Sequence, residues 1–266
     1  MRETITSRRN TLVQRARSVR DGREKSAVFV EGVRLCEEAL RASVEFEFAL
    51  YTQGLADDER GAALLEQLQT VCPAVHLVSA SVLESISDTK TPQGVVAIAR
   101  RPRTGREVVE SNKALPLVVI MHRANNPSNA GAMLRVAEAA GATAVIVTEG
   151  STDPLSAKAL RGSMGSSLRL PLWTGPTFDE ALRWCDARGI RTVSTTTGAA
   201  SMHTEIDWTG ARAIVVGPEA GGLSDEEASA ANECVRIPMR EPVESLNVAV
   251  ALAVVLYEAA RQRGFR

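Results

Sequence analysis

The chain of 266 residues has few of the residues that most metal and nucleophile chemistry needs. Its four cysteines, Cys36, Cys72, Cys185 and Cys234, lie far apart without C-x-x-C spacing. Neither a zinc site nor a disulfide framework is indicated, no metal is expected, and a reducing cytoplasm fits best. Its three histidines, His76, His122 and His203, accompany no nucleophile elbow, so a hydrolase reading fails. No G-x-G-x-x-G follows a predicted strand, which excludes a dinucleotide-dependent oxidoreductase, and no G-K-[ST] ending makes a P-loop. No apolar run approaches the ~18 residues of a membrane span. No apolar segment follows Met1 to Arg9, so no signal peptide is expected. Internal repeats and low-complexity segments are absent.

What is present is ordinary for a soluble globular protein, with 44% hydrophobic and 24% charged residues. The net charge of −1 hides an asymmetry. Residues 1–25 hold eight basic residues (Arg2, Arg8, Arg9, Arg15, Arg17, Arg20, Arg23, Lys25) against three acids (Glu3, Asp21, Glu24). A second cluster is formed by Arg100, Arg101, Arg103 and Arg106. Arginine-rich patches on a neutral protein suit a polyanion such as nucleic acid; a solvated helix face and a charged linker explain them equally well.

The first half reads as a small α/β domain. Helices are predicted at Thr6–Val19, Val33–Arg41, Asp57–Val71 and Ser81–Ser87, and strands at Ala27–Val30, Phe46–Tyr51, Val75–Val78 and Val95–Ala99. A polar stretch from Arg101 to Lys113 reads as a linker. The second half restarts the alternation. Leu117–Met121 is wholly apolar, hence a buried parallel strand, and Pro127–Ala140 is a helix with proline in its first turn. Strands follow at Ala144–Val147, Arg169–Leu172, Arg191–Ser194, Ala213–Val216 and Val235–Ile237. Helices are expected near Pro154–Leu160, Phe178–Arg188 and Ser224–Asn232, the last with capping-box spacing. The pattern is a doubly wound sheet, whose ligands bind at the carboxyl ends of its strands.

Three segments at such ends draw attention. Asn126 to Arg135 opens a helix with the small residues Ala130, Gly131 and Ala132, which admit a close backbone or phosphate. Arg135 in that helix reads either as a functional cation or as half of an ion pair with Glu138. Gly217 to Ser224 is a glycine-rich turn containing one acid, Glu219. Ile237 to Asn247 precedes a helix without a polar face from Val248 to Leu256, which must be buried in a core or against a second subunit. Ser245 and Asn247 at the mouth of such a helix are poorly explained by packing.

Together the three segments resemble the SPOUT superfamily, specifically its SpoU/TrmH family of RNA ribose 2′-O-methyltransferases. The N-P-x-N-x-G-x-x-x-R pattern is seen as Asn126 to Arg135, G-x-E-x-x-G-[LI]-S as Gly217 to Ser224, and I-P-M with S-L-N-V-[AS]-x-A as Ile237–Met239 and Ser245–Ala251. The likeness is strong over about residues 113–266. Residues 1–101 look like the family's L30e-like RNA-binding domain, with Phe29-Val30-Glu31-Gly32 and Thr91-Pro92-Gln93-Gly94 at the expected places. Met121 stands where many relatives carry an acid, and Ser128 and Ala130 replace the commoner Gly and Ile. The resemblance implies an α/β fold of two domains, residues 1–101 and 113–266 with 102–112 between them. It also implies a deep trefoil knot over about 190–266, an exception to unknotted chains. S-adenosyl-L-methionine as cofactor and a homodimer are implied as well.

For the site, the resemblance implies a catalytic group of Arg135, Asn129, Ser245, Asn247 and Glu219. An arginine stays protonated, so Arg135 is expected to clamp a phosphate and stabilise a developing alkoxide, oriented by Asn129 or Glu219. Ser245 and Asn247 are expected on the 2′-hydroxyl or the cofactor. Thr195, Gly217, Ile237, Met239, Ser245 and Leu246 would line the cofactor pocket. Arg8, Arg9, Lys25, Lys90 and Arg161 are the expected RNA contacts, with an Arg161–Asp153 ion pair as the structural alternative. Ribosomal RNA of the large subunit is the expected substrate. Transfer RNA and a catalytically silent, knotted RNA-binding protein are the alternatives.

Overall fold

The computed structural model describes residues 4–264, so Arg2 and Glu3 of the first basic cluster lie outside the described residues. In chain order the elements are α1 (Thr11–Arg20), β1 (Ala27–Glu31), α2 (Val33–Arg41), β2 (Phe46–Tyr51), α3 (Gln53–Ala56), α4 (Glu59–Val71), β3 (Val75–Leu77), α5 (Ala80–Ile86) and β4 (Val95–Arg100). They continue as α6 (Arg106–Ser111), β5 (Leu117–Met121), α7 (Pro127–Ala139), β6 (Ala144–Val147), α8 (Ala157–Ser163), α9 (Ser166–Arg169), β7 (Leu172–Thr174) and α10 (Phe178–Asp186). The last are β8 (Arg191–Thr195), β9 (Ser201–Met202), β10 (Arg212–Val216), α11 (Asp225–Ser229), β11 (Glu233–Arg236) and α12 (Val248–Gln262).

These elements form two compact units, Met1–Pro102 with Leu155–Arg169, and Arg103–Pro154 with Leu170–Arg266. The first unit carries a four-stranded sheet of order β1-β4-β2-β3. Val13 and Ala16 of α1 and Val82 and Ile86 of α5 pack on Phe29, Leu50 and Ile98 of that sheet. The first helix starts at Thr11, later than predicted, because Asn10 caps it by accepting from the Leu12 N–H at 2.9 Å. Arg169, read as the start of a strand, ends α9 instead and bonds Glu38 at 2.6 Å.

In the second unit, residues 105–111 are not a bare connection. Gly105 N–H donates to Leu172 O at 2.8 Å, and Glu110 of α6 accepts from the Trp184 indole at 2.9 Å. The unit's sheet has seven strands in the order β7-β6-β5-β10-β8-β11-β9, every pair parallel. β5 and β10 are buried at every residue, as strands with helices on both faces must be. Val118, Ile120, Ala213 and Val215 pack with Ala181 and Trp184 of α10 on one face. By alternation Val119, Met121, Ile214 and Val216 face the other way, and α12 packs on β10 and α7.

α12 buries Ala249, Leu252, Val255, Leu256, Ala259 and Ala260 within its own chain. Its far end is locked by Arg263, which donates to Trp208 O at 2.8 Å and Pro116 O at 2.9 Å. The helix is not covered all round, however: Val250 is 50% and Tyr257 49% exposed. Replacing fully buried Leu252 leaves a cavity where α12 packs within its own chain. Leu252→Ala is therefore expected to cost about 2–5 kcal/mol, read as a lower urea midpoint.

Candidate active site

The central parallel strands end in register. Met121 pairs with Val216, and Val235 of β11 pairs with Thr195 of β8. The polar segments that follow therefore leave one edge of the sheet, where an interior with apolar strands can place chemistry. From that edge emerge Asn125–Asn129, Gly217–Ser224 and Ile237–Asn247.

One chain of hydrogen bonds links the three. Glu219 accepts from the backbone N–H groups of Asn125 and Asn126, both at 3.3 Å, and from the Asn129 amide at 3.2 Å. The Asn129 carbonyl oxygen accepts from the Asn247 amide at 3.1 Å. Asn247 in turn caps α12, its side-chain oxygen accepting from the Ala249 N–H at 3.0 Å. Asn126 caps α7 in the same way, accepting from the Ser128 N–H at 2.9 Å. The amino-terminal ends of α7 and α12 thus meet beside one carboxylate, where their partial positive charge favours an anion.

Gly217 is buried directly after β10, and a Cβ there would lie 2.6 Å from Leu223 N and 2.9 Å from Gly222 C. The glycine-rich turn folds back over this position, and only glycine fits. Thr195 ends β8, half-buried, its hydroxyl donating to Val215 O at 3.2 Å. Ile237 and Met239 are half-buried after β11, and Ser245 and Leu246 are exposed just ahead of the α12 cap. These positions occupy the same strand edge and fit a cofactor held largely by backbone. Among the described residues, no cluster of His, Cys, Asp or Glu suits a metal ion.

Arg135 stands apart from this chain. It lies exposed further along α7. Neither Asn129 nor Glu219, expected to orient it, is bonded to it; both are spent on the loop and on α12.

A second cluster was not singled out by sequence reasoning. His122, 6% exposed, lies between the Thr148 hydroxyl at 3.0 Å and a Glu227 oxygen at 3.1 Å, with the Phe178 ring 4.4 Å away. Glu227 also pairs with Arg123 and closes the α11 capping box with Ser224. The capping-box spacing was visible, but not that its glutamate also reaches the end of β5. Burial tends to push the Glu227 carboxyl up, but the Ser224 N–H, His122 and Arg123 more than offset this and hold it below the usual carboxylate range.

The expected RNA contacts all fall in the first unit. Arg9, Lys25 and Lys90 are exposed, and so is Arg8, which donates to Ser81 O at 3.5 Å. Arg161 pairs with Asp88 at 2.9 Å. Much of the amino-terminal basic cluster is spent internally. Arg15 binds Glu24 and Glu47, Arg17 binds Ser85, and Arg20 and Arg23 share Asp21.

Known proteins resemble this chain in both units. Residues 116–257 match the SpoU rRNA Methylase family, and residues 10–97 match the MRM3-like substrate binding domain. An uncharacterized tRNA/rRNA methyltransferase of Synechocystis sp. is 32% identical over 98% of this chain and 94% of its own length. A 23S rRNA (guanosine-2′-O-)-methyltransferase of Burkholderia sp. is 34% identical over 77% of this chain and 85% of its own. The crystal structure of an AdoMet-bound rRNA methyltransferase from Sinorhizobium meliloti superposes with a TM-score of 0.84 at 26% identity, covering 97% of each chain.

The Glu227 tie has a sign in pH. Its folded pKa is depressed, so its stabilisation is complete above the pKa of an unfolded glutamate and is lost as pH falls through the folded value. Urea midpoints of wild type and Glu227→Gln are expected to differ at pH 7 and to converge on acidification toward pH 3. A constant gap across that range would refute the assignment.

Proposed function

The chain belongs to the SpoU rRNA Methylase family, and from that premise we infer that it transfers a methyl group from S-adenosyl-L-methionine to a ribose 2′-hydroxyl of RNA, specifically 23S ribosomal RNA. One observation carries the reading: the bond chain Glu219–Asn129–Asn247 draws the three motif segments together at the carboxyl edge of the parallel sheet. The rRNA assignment rests on the relatives' named substrate and on the substrate-binding domain match.

When bound, S-adenosyl-L-methionine would supply an electrophilic methyl group on a sulfonium, with a neutral thioether as the leaving group. The remaining work belongs to this chain. The hydroxyl is a weak nucleophile and must be aligned and relieved of its proton. Asn129 is oriented by a carboxylate at one end of its amide and by Asn247 at the other. A fixed amide of this kind can position a ribose. Ser245, exposed two residues before the α12 cap, is free to meet the hydroxyl or the cofactor's amino-acid end. Glu219 acts on the loop rather than on the reacting groups. Arg135, unengaged by Asn129 and Glu219, is available to a phosphate and to the developing alkoxide charge. Thr195, Gly217, Ile237, Met239 and Leu246 would hold the cofactor.

We also infer that a second copy of the chain covers the open side of α12, where Val250 and Tyr257 repeat at a seven-residue interval and Val243 is 53% exposed. The carboxyl-terminal segment from about residue 190 is read as the family's trefoil knot. The insertion of β10 between β5 and β8 and the return of α12 to α7 support that reading, and an experimental chain trace tests it. Four cysteines without a disulfide support a cytoplasmic setting, which cell fractionation would check.

Three measurements test these readings. Comparing ribose methylation of RNA from cells with and without the gene should reveal one 23S site that vanishes; loss of a transfer RNA site instead would overturn the rRNA assignment. Arg135→Ala is expected to lower methyl transfer about 100-fold while calorimetric S-adenosylmethionine affinity is kept. Wild-type protein with no such affinity would be a silent RNA-binding protein. In sedimentation, Val250→Glu is expected to convert a dimer to monomer, and an unchanged oligomer would remove α12 from the interface.

A further inference from the structure

Two sequence motifs of the first unit, more than fifty residues apart, form a single device. Glu31 ends β1 with its side chain 6% exposed. Its carboxylate accepts from the Ser87 hydroxyl, from the Asp88 N–H at 2.9 Å and from the Thr89 hydroxyl at 2.7 Å. The other end of the same loop is tied to the next residues of that corner: the Gln93 side-chain oxygen accepts from the Val33 N–H at 3.1 Å. Gly32 has φ +95°, a conformation that favours glycine, and a Cβ there would lie 2.7 Å from that Gln93 oxygen and displace it.

The start of the loop is held from two further sides. Arg17 donates to the Ser85 hydroxyl at 2.6 Å and Arg20 to Ser87 O at 3.3 Å, both from α1. Arg161 holds Asp88 at 2.9 Å from α8. Yet Lys90 and Thr91, at the middle of the loop, are exposed. A buried carboxylate is costly unless its oxygens are satisfied, and here every hydrogen bond named goes to one short loop, with the Arg161 guanidinium 3.9 Å away as its ionic partner. Such over-determination serves presentation rather than core packing, because a preorganised loop loses less conformational entropy on binding. What it presents is the Lys90 cation beside the exposed Thr91, which matches a phosphodiester backbone.

We propose that Glu31 is a positioning residue that preforms the loop Ser87–Thr91 so that Lys90 meets the RNA backbone. The proposal rests on the RNA methyltransferase reading. Glu31 touches no RNA; it sets where Lys90 stands.

The test uses the full-length protein and in-vitro transcribed 23S ribosomal RNA. Lys90→Ala should raise KM for RNA severalfold and reduce the salt slope of binding by about one. Glu31→Ala should raise KM for RNA about tenfold, with kcat at saturating RNA and S-adenosylmethionine affinity within about twofold of wild type. The double variant should be no worse than Glu31→Ala alone, since Lys90 has already lost its place. Glu31→Gln, which keeps volume and an acceptor, should restore part of the KM; it serves in the same cycle if Glu31→Ala does not fold. Multiplicative effects of the two substitutions, or a lowered melting temperature with unchanged KM, would overturn the proposal. Wild-type protein that neither binds nor methylates RNA would overturn the function reading itself, and this proposal with it.

Discussion

The placement of β10 between β5 and β8 governs the second unit. Strands buried on both faces hold few polar side chains along their length, and each needs a partner, as Ser194 finds in Ala228 O and Thr192 in Asn232. All the polar groups of interest therefore collect where the strands end, and the parallel arrangement puts those ends on one edge. The order of strands then decides which loops become neighbours. With β10 beside β5, the turn bearing Glu219 reaches the loop of Asn125 and Asn126, which lies more than ninety residues earlier in the chain.

Carboxylates serve both units in the same way, as ties between a loop and its support. Glu219 holds two backbone N–H groups and an amide, Glu227 a histidine and an arginine, Glu31 two hydroxyls and a backbone N–H. A single carboxylate accepts several bonds at once, and bonds to a charged acceptor are stronger than neutral ones. Loops without regular secondary structure gain a fixed shape by this means. Surface ion pairs such as Arg100–Glu45, both partners about two-thirds exposed, contribute far less.

Strand and helix identities were largely legible because period and burial agree. Leu117–Met121 is apolar without interruption and is a central strand. The amphipathic pattern of Phe178–Arg188 gives α10 with its capping box at Thr177. Where prediction slipped, a local bond decided: Asn10 delays α1, and Arg169 turns from strand to helix end with Glu38 as its partner. The arginine clusters misled in part, since composition cannot distinguish Arg17, bonded to Ser85, from Lys90, open to solvent.

The three motifs, with their glycine at 217 and asparagines at 129 and 247, were determined by the amino-acid sequence alone. So were the α/β class and the apolar character of the last helix. Only the tertiary structure decided that Asn247 bonds Asn129, that Glu219 serves a loop rather than Arg135, and that residues 155–169 belong with the first unit. The reason is physical. Periodicity and turn chemistry act over a few residues and are written locally, whereas a hydrogen bond between residues 118 apart exists only once the sheet has brought them together.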